Sequence, residues 1–231
     1  MALTLEHRVF VVTGGFGTLG RAMAEVLGQQ GARLALIDRA QMPPDMLETE
    51  RTSVHGGVDL GAHAALEDTL QQVVRRWQRI DGLINVAGGF AWQSVAQGSL
   101  ETWDRMYSMN LRSAVAASQA VLPHLSPGGR IVNVGAMAAL KAASGMGAYA
   151  ASKAGVLRFT EALAEELKDR GVTVNAVLPS IIDTPANRAD MPEADFNRWV
   201  TPQALSRVVA FLLSDDAAAI TGACLPVTGR V

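Results

Sequence analysis

The sequence is poor in the features that mark secreted, membrane-spanning or nucleic-acid-binding chains. It contains one cysteine, Cys224, so no disulfide can form within it, and that usage suits a reducing compartment. No apolar run approaches the roughly 18 residues that a membrane-spanning helix needs. Lys and Arg total 20 against 22 Asp and Glu, a net charge of −2 with no basic footprint, which argues against nucleic acid as the main partner. Glu6, His7 and Arg8 stand ahead of the first, short apolar run, so the N-terminal stretch does not read as a signal peptide. The expectation is a cytoplasmic protein that binds neither membrane nor nucleic acid. Repeats, low-complexity tracts and linkers are also missing, and no metal site is expected.

What is present is a rather apolar chain of 231 residues, 49% hydrophobic and 18% charged, long enough to bury a sizeable core as one domain over 1–231. Short β-rich runs recur at 8–13, 33–38, 53–60, 82–88, 130–135, 172–179 and 223–229, and several are apolar on consecutive residues, as in strands buried on both faces. Helical patterns lie between them at 18–30, 62–79, 101–124, 147–170 and 202–213. In 62–79, for example, Leu66, Leu70, Val73, Val74 and Trp77 fall at helical spacing. Pro43 and Pro44 make the 40–52 connection irregular. This alternation predicts an α/β fold, a doubly wound Rossmann-type domain with a mostly parallel sheet of about seven strands and helices on both faces. Such sheets bind ligands beyond the carboxyl ends of their strands.

At the end of the first strand stands VVTGGFGTLGRAMAEVLGQQG (11–31). Gly15, Gly17 and Gly20 spell G-x-G-x-x-G, and Gly14 and Gly20 also frame T-G-x-x-x-G-x-G with Thr18 in its middle glycine position. A strand, a glycine turn (Gly14, Gly15, Phe16, Gly17, Thr18, Leu19, Gly20) and a helix start together make an anion site. The helix offers unpaired N–H groups and a positive dipole end to a pyrophosphate, and glycine lets the backbone approach. Asp38 ends the second strand, eighteen residues past Gly20, where a carboxylate accepts hydrogen bonds from an adenosine ribose. Asp38 would repel a 2′-phosphate, which favours NAD(H), whereas the adjacent Arg39 leaves NADP(H) open.

Three further segments, NVAG (85–88), YAASK (149–153) and PSIIDTP (179–185), follow in order. With TGGFGTLG they make the chain similar, over essentially its whole length, to the short-chain dehydrogenase/reductase family. Tyr149 and Lys153, four apart, share one helix face, and an ammonium beside a phenol lowers its pKa towards working pH. The resemblance implies that Tyr149 exchanges the substrate proton and that Lys153 also holds the nicotinamide ribose. It implies further that Asn110 positions a lysine-bound water, that Asn85, Ala87 and Gly88 support the sheet and pass beside the cofactor, and that Asp59, with Leu60, flanks the adenine. Ile182 and Thr184, after Pro179, match contacts to the nicotinamide carboxamide. The family's subunit helices correspond to 101–124 and 147–170, rich in small residues here, which implies a homodimer or homotetramer.

The chain departs from the family where a serine is usual, thirteen residues before the tyrosine: this position is Ala136, beside Gly135. Ser180 also replaces the usual glycine after Pro179. The dihydropteridine reductase branch normally lacks that serine, and GAMAALKAASGMGAY (135–149) and DTPANRADMPEADFNRW (183–199) resemble it. The resulting expectation is hydride transfer between a nicotinamide and a small substrate, a quinonoid dihydropterin or similar flat ring. The alternatives are a carbonyl/alcohol oxidoreductase of the 3-oxoacyl type, with Ser144 or water replacing the serine, and a non-catalytic NAD-binding protein. Phe90, Trp92, Met137, Met146, Met191, Phe196 and Trp199 are the expected pocket walls, with 186–199 as a lid.

Overall fold

The computed structural model describes residues 5–231. Its strands are β1 (Val9–Thr13), β2 (Arg33–Ile37), β3 (Thr52–His55), β4 (Ile80–Asn85), β5 (Leu125–Val134), β6 (Thr173–Pro179) and β7 (Cys224–Val227). The helices are α1 (Thr18–Gln29), α2 (His63–Trp77), α3 (Leu100–Met106), α4 (Ser113–Val121), α5 (Gly147–Leu167), α6 (Pro185–Asp190) and α7 (Pro202–Leu213). All strands pair in parallel in the order β3-β2-β1-β4-β5-β6-β7. The strand order reverses between β1 and β4, and the crevice of such a sheet opens there.

Both faces of the sheet are covered, and the alternation of side chains along β1 shows how. Phe10 and Val12 pack with Met23 and Leu27 of α1 and with Leu205, Val209 and Leu212 of α7. Val9 and Val11 pack with Leu66, Leu70 and Val73 of α2, Val121 of α4 and Leu163 of α5. Each fully buried side chain of this kind contributes about 1.5–3 kcal/mol, so the central strands are held from both sides. At the opposite, N-terminal edge of the sheet, buried Asp81 accepts the Val9 N–H at 2.8 Å and pairs with Arg79.

Two expected elements differ in extent. The strand expected over 53–60 stops at His55, because a Cβ at Gly56 would lie 2.5 Å from Met42 N and Gly57 has φ +74°. The chain turns there and carries Asp59 onto the ligand edge. The helix expected over 101–124 runs from Leu100 to Val121 but contains a π-helical stretch, Tyr107–Arg112, between α3 and α4. Helices α6 and α7 start on Thr184 and Thr201, whose hydroxyls accept N–H groups of Asn187 and Ala204, with a proline next in each.

The β1–α1 turn is packed backbone against backbone. Gly14 has φ +66°, and a Cβ on it would lie 2.8 Å from Ala87 N, at the end of β4. A Cβ on Gly15 would lie 2.8 Å from Leu36 Cβ, and one on Gly20 would overlap the Gly14 carbonyl and sit 2.7 Å from Gly15 Cα. Gly17, the N-cap of α1, has φ −71°, and a Cβ on it would meet only Gly14 O at 3.6 Å. Gly20→Ala is therefore expected to cost more than about 2 kcal/mol of stability, whereas Gly17→Ala costs about 1 kcal/mol or less. Urea denaturation compares the two, and equal losses would contradict this reading of the turn.

Candidate active site

The strand ends and the loops above them enclose a cleft of about 1740 Å³. The structure brings most of the expected residues to it: Gly14, Gly17, Thr18, Leu19 and Gly20 from the glycine turn, and Asp38 and Arg39 after β2. Asp59 and Leu60 line it beyond β3, as do Ala87 and Gly88 after β4. Tyr149 and Lys153 of α5 and Pro179, Ile182 and Thr184 after β6 complete the set. The Asp38 carboxylate is fixed by backbone donors, since Oδ2 accepts the Phe16 N–H at 3.1 Å and Oδ1 the Ala40 N–H at 3.0 Å.

Four expected residues stand behind this wall. Gly15 packs on Leu36 and donates its N–H to Ile37 O. Phe16 turns its ring into the core beneath α1 and offers only its backbone. Asn85 points away from the cleft, because its Nδ2 donates to Asn133 Oδ1 at 2.8 Å and Ser118 Oγ at 3.2 Å, binding β4 to β5 and α4. Asn133 continues the chain to Thr160 of α5. Asn110 lies in the π-helical stretch, buried. Its Oδ1 accepts the Gly89 N–H at 2.9 Å, and its Nδ2 donates to Gly89 O at 3.1 Å and Ser152 Oγ at 3.0 Å. Its amide is thereby committed to holding the segment after β4 against α5.

The tyrosine–lysine pair differs from the expectation in its electrostatics. Lys153 is buried, donates Nζ to Val134 O at 2.8 Å, and burial pulls its ammonium down to about 8. Burial also acts on Tyr149, whose phenol is pushed up to about 12 rather than lowered. Desolvation penalises the charged form of both groups. The Phe90 ring meets Tyr149 edge-on, with centroids 5.0 Å apart.

Position 136 is as bare as the sequence indicates: Ala136 is buried at the cleft wall. Serine has no room one residue earlier, since a Cβ at Gly135 would lie 2.5 Å from Leu178 Cδ2. Ser144 does not replace it. That residue is exposed, is not among the cleft-lining residues, and its carbonyl accepts the Trp92 indole N–H at 3.0 Å. Phe90, Trp92, Met137, Met146 and Met191 line the cleft, but Phe196 and Trp199 do not. Those two pack on each other at 4.8 Å, with Trp199 buried and Arg188 over Phe196.

Sequence reasoning missed several residues. Thr13 Oγ accepts the N–H groups of Val86 and Ala87, both at 3.2 Å, and so sets the path of the segment after β4. Its place as the last residue of β1, opposite Asn85, is a signal that was available. Arg112, Lys141 and Thr228 line the cleft without any local motif to mark them.

The model of the short chain dehydrogenase family matches residues 8–195. A 3-oxoacyl-(acyl-carrier-protein) reductase of Thermotoga maritima is 30% identical, with 98% of each chain covered. A meso-2,3-butanediol dehydrogenase of Serratia marcescens is 32% identical over 98% of this chain and 95% of its own. Among solved structures, a short-chain dehydrogenase/reductase from Brucella melitensis superposes with a TM-score of 0.90 at 30% identity, covering 99% of this chain and 98% of its own. Two others were solved with cofactor. One is a 3-ketoacyl-(acyl-carrier-protein) reductase from Brucella melitensis with NADH (TM-score 0.87, 26% identity, 98% of each chain). The other is a blue fluorescent protein from a metagenomic library with NADPH (TM-score 0.85, 28% identity, 98% of each chain). With the parallel sheet, the glycine turn and the Tyr149–Lys153 pair at one cleft, these matches make the chain a member of the short-chain dehydrogenase/reductase family of nicotinamide-dependent oxidoreductases.

Proposed function

We propose that this chain uses NAD(H) in preference to NADP(H) and transfers hydride to a small flat substrate, a quinonoid dihydropterin or a ring like it. The observation that carries this reading is the pairing of Tyr149 and Lys153 at the cleft with Ala136 where a hydroxyl is usual. One hydrogen bond to a developing oxyanion is worth about 3 kcal/mol in comparable sites. A carbonyl lacking that donor reacts poorly, whereas an electron-poor quinonoid ring needs little polarisation.

The cleft fits a dinucleotide. Nothing within the protein requires glycine at 17, since a Cβ there meets only Gly14 O at 3.6 Å, yet the residue lines the cleft at the start of α1. A phosphate on the unpaired N–H groups of that helix start accounts for the residue. Asp38, its carboxylate oriented by the Phe16 and Ala40 N–H groups, would accept ribose hydroxyls and repel a 2′-phosphate. When bound, the nicotinamide supplies or accepts the hydride. Tyr149 keeps its phenolic proton at ordinary pH and donates it to the substrate heteroatom, and the Lys153 ammonium, one helical turn away, steadies the phenolate left behind. Thr13 and Asn110 act on the site through backbone, holding residues 86–89 in place.

A second reading, carbonyl or alcohol oxidoreduction with water in place of the serine, is favoured by the names of the relatives, a 3-oxoacyl-(acyl-carrier-protein) reductase and a butanediol dehydrogenase. NADH oxidation with quinonoid dihydropterin and with a small ketone panel separates the two, and NADH binding without any turnover would leave a non-catalytic binding protein. We extend the proposal to a cytoplasmic homodimer or homotetramer joined through α3–α4 and α5, which sedimentation measures.

Tyr149→Phe is expected to lower kcat by about 10²-fold or more while leaving NADH affinity unchanged. Activity that survives the change would remove Tyr149 as proton donor. In the reductive direction the rate is expected to fall as pH rises through about 8, where Lys153 loses its charge, with Tyr149 still protonated until about 12. A profile flat from neutrality to well above 8 would detach Lys153 from the chemistry. Asp38→Asn keeps an acceptor for the Phe16 N–H and removes the charge, so discrimination against NADPH should drop by about tenfold, or 1.4 kcal/mol. An unchanged NADH-to-NADPH ratio of kcat/KM would take Asp38 out of cofactor choice.

A further inference from the structure

Residues 228–231 form part of the cleft wall, far in sequence from the rest of it, with Thr228 and Val231 lining the cavity. Ser180, the residue that departs from the usual glycine, ties this strap to the end of β6. Its hydroxyl donates to Thr228 O at 2.7 Å and its N–H to Val227 O at 3.2 Å. The other end is fastened by Arg198. Its Nε and Nη2 both donate to Arg230 O, at 2.9 and 2.6 Å, and the Arg230 N–H returns to Arg198 O at 2.9 Å. The Arg230 guanidinium adds a bond to Asn197 O at 2.6 Å. Gly229 has φ +62°, and a Cβ on it would lie 2.7 Å from Arg198 O, so the two segments touch backbone to backbone.

The partner of this strap is the lid. Residues 183–199 leave and return at one point, where Val200 N–H donates to Ile181 O at 3.0 Å and Asp183 N–H to Val200 O at 2.8 Å. Met191 of the lid and Ile181 at its base face the same cavity as Thr228 and Val231. Arg198 and Arg230 are exposed, so their side chains fill no core. Every side-chain hydrogen bond that these two residues make in the described residues joins lid to strap.

We propose that Ser180, Arg198 and Arg230 are positioning residues that hold the lid and the 228–231 strap as one wall, and that this wall limits the size of substrate admitted to Tyr149. The inference rests on the reading of the Tyr149 end of the cleft as the substrate end. Two perturbations of different kind test it: Arg198→Ala removes the two bonds to Arg230 O, and Gly229→Ala forces the segments apart. In hydrogen–deuterium exchange, both are expected to speed exchange by about tenfold in 183–199 and 228–231, the scale of one or two lost hydrogen bonds, and to leave 14–20 and 149–153 unchanged. Arg198→Lys, able to supply one donor, should fall between.

Binding is read separately, by quenching of tryptophan fluorescence with 6-methylpterin and with the bulkier folic acid. The unaltered protein should prefer the small ring, and Arg198→Ala should shrink that preference by about tenfold. Unchanged exchange in the lid and strap, or exchange raised equally along the whole chain, would overturn the clasp. A loosened lid with undiminished size preference would overturn its role in specificity. If the unaltered protein binds neither pterin, the flat-ring reading fails, and exchange alone then decides whether the clasp exists.

Discussion

The architecture depends on one contact between backbones, Gly20 against Gly14, where no Cβ can be accommodated. It brings the start of α1 down onto the end of β1 and points the unpaired N–H groups of that helix along the cleft. The same turn reaches sideways: Gly14 lies against Ala87, and Thr13 holds the N–H groups of Val86 and Ala87. The ends of the two central strands are thus fixed to each other on either side of the point where strand order reverses. The glycine turn and the segment after β4 share one rigid support.

A second constraint is electrostatic. Lys153 is an ammonium enclosed by protein with one carbonyl, Val134 O, as its hydrogen-bond partner in the described residues. Burial costs stability in the charged state, and in the proposed mechanism Lys153 acts while charged. Tyr149 is shifted the opposite way in pKa by the same cause. Environments that push the pKa values of two groups apart are how acid and base roles are assigned in a shared site. Here burial keeps the proton on Tyr149 and makes the charge on Lys153 easier to lose.

Ala136 and Ser180 depart from the family pattern in opposite senses. At 136 a hydroxyl is lost from the reacting end of the cleft, and neither Gly135, walled in by Leu178, nor exposed Ser144 restores it. At 180 a hydroxyl is gained, and it is spent on the Thr228 carbonyl rather than on the cavity. The hydroxyl at 180 thus holds the cleft wall together and does not face the cavity.

The order of strands and helices was legible because two-sided burial leaves unbroken apolar runs and amphipathic helices leave a period of 3.6. The glycine turn, Asp38 and the Tyr149–Lys153 spacing were legible because each is a local pattern with a local physical reason. Asn85 and Asn110 were placed by type but not by direction, since which way each side chain turns depends on a partner more than twenty residues off, Asn133 for Asn85 and Gly89 for Asn110. Phe196 and Trp199 turned towards each other instead of the cavity. The raised tyrosine and the contact of Arg198 with Arg230 were beyond reach because burial and the meeting of these two segments exist only once the chain has closed on itself. The sequence by itself determined the fold, the glycine turn and the pairing of Tyr149 with Lys153 at one cleft, all written in short-range spacing. Only the tertiary structure decided which polar groups face the cleft, how far burial shifts their titration, and what fastens its outer wall, because these depend on segments that the sheet brings together from opposite ends of the chain.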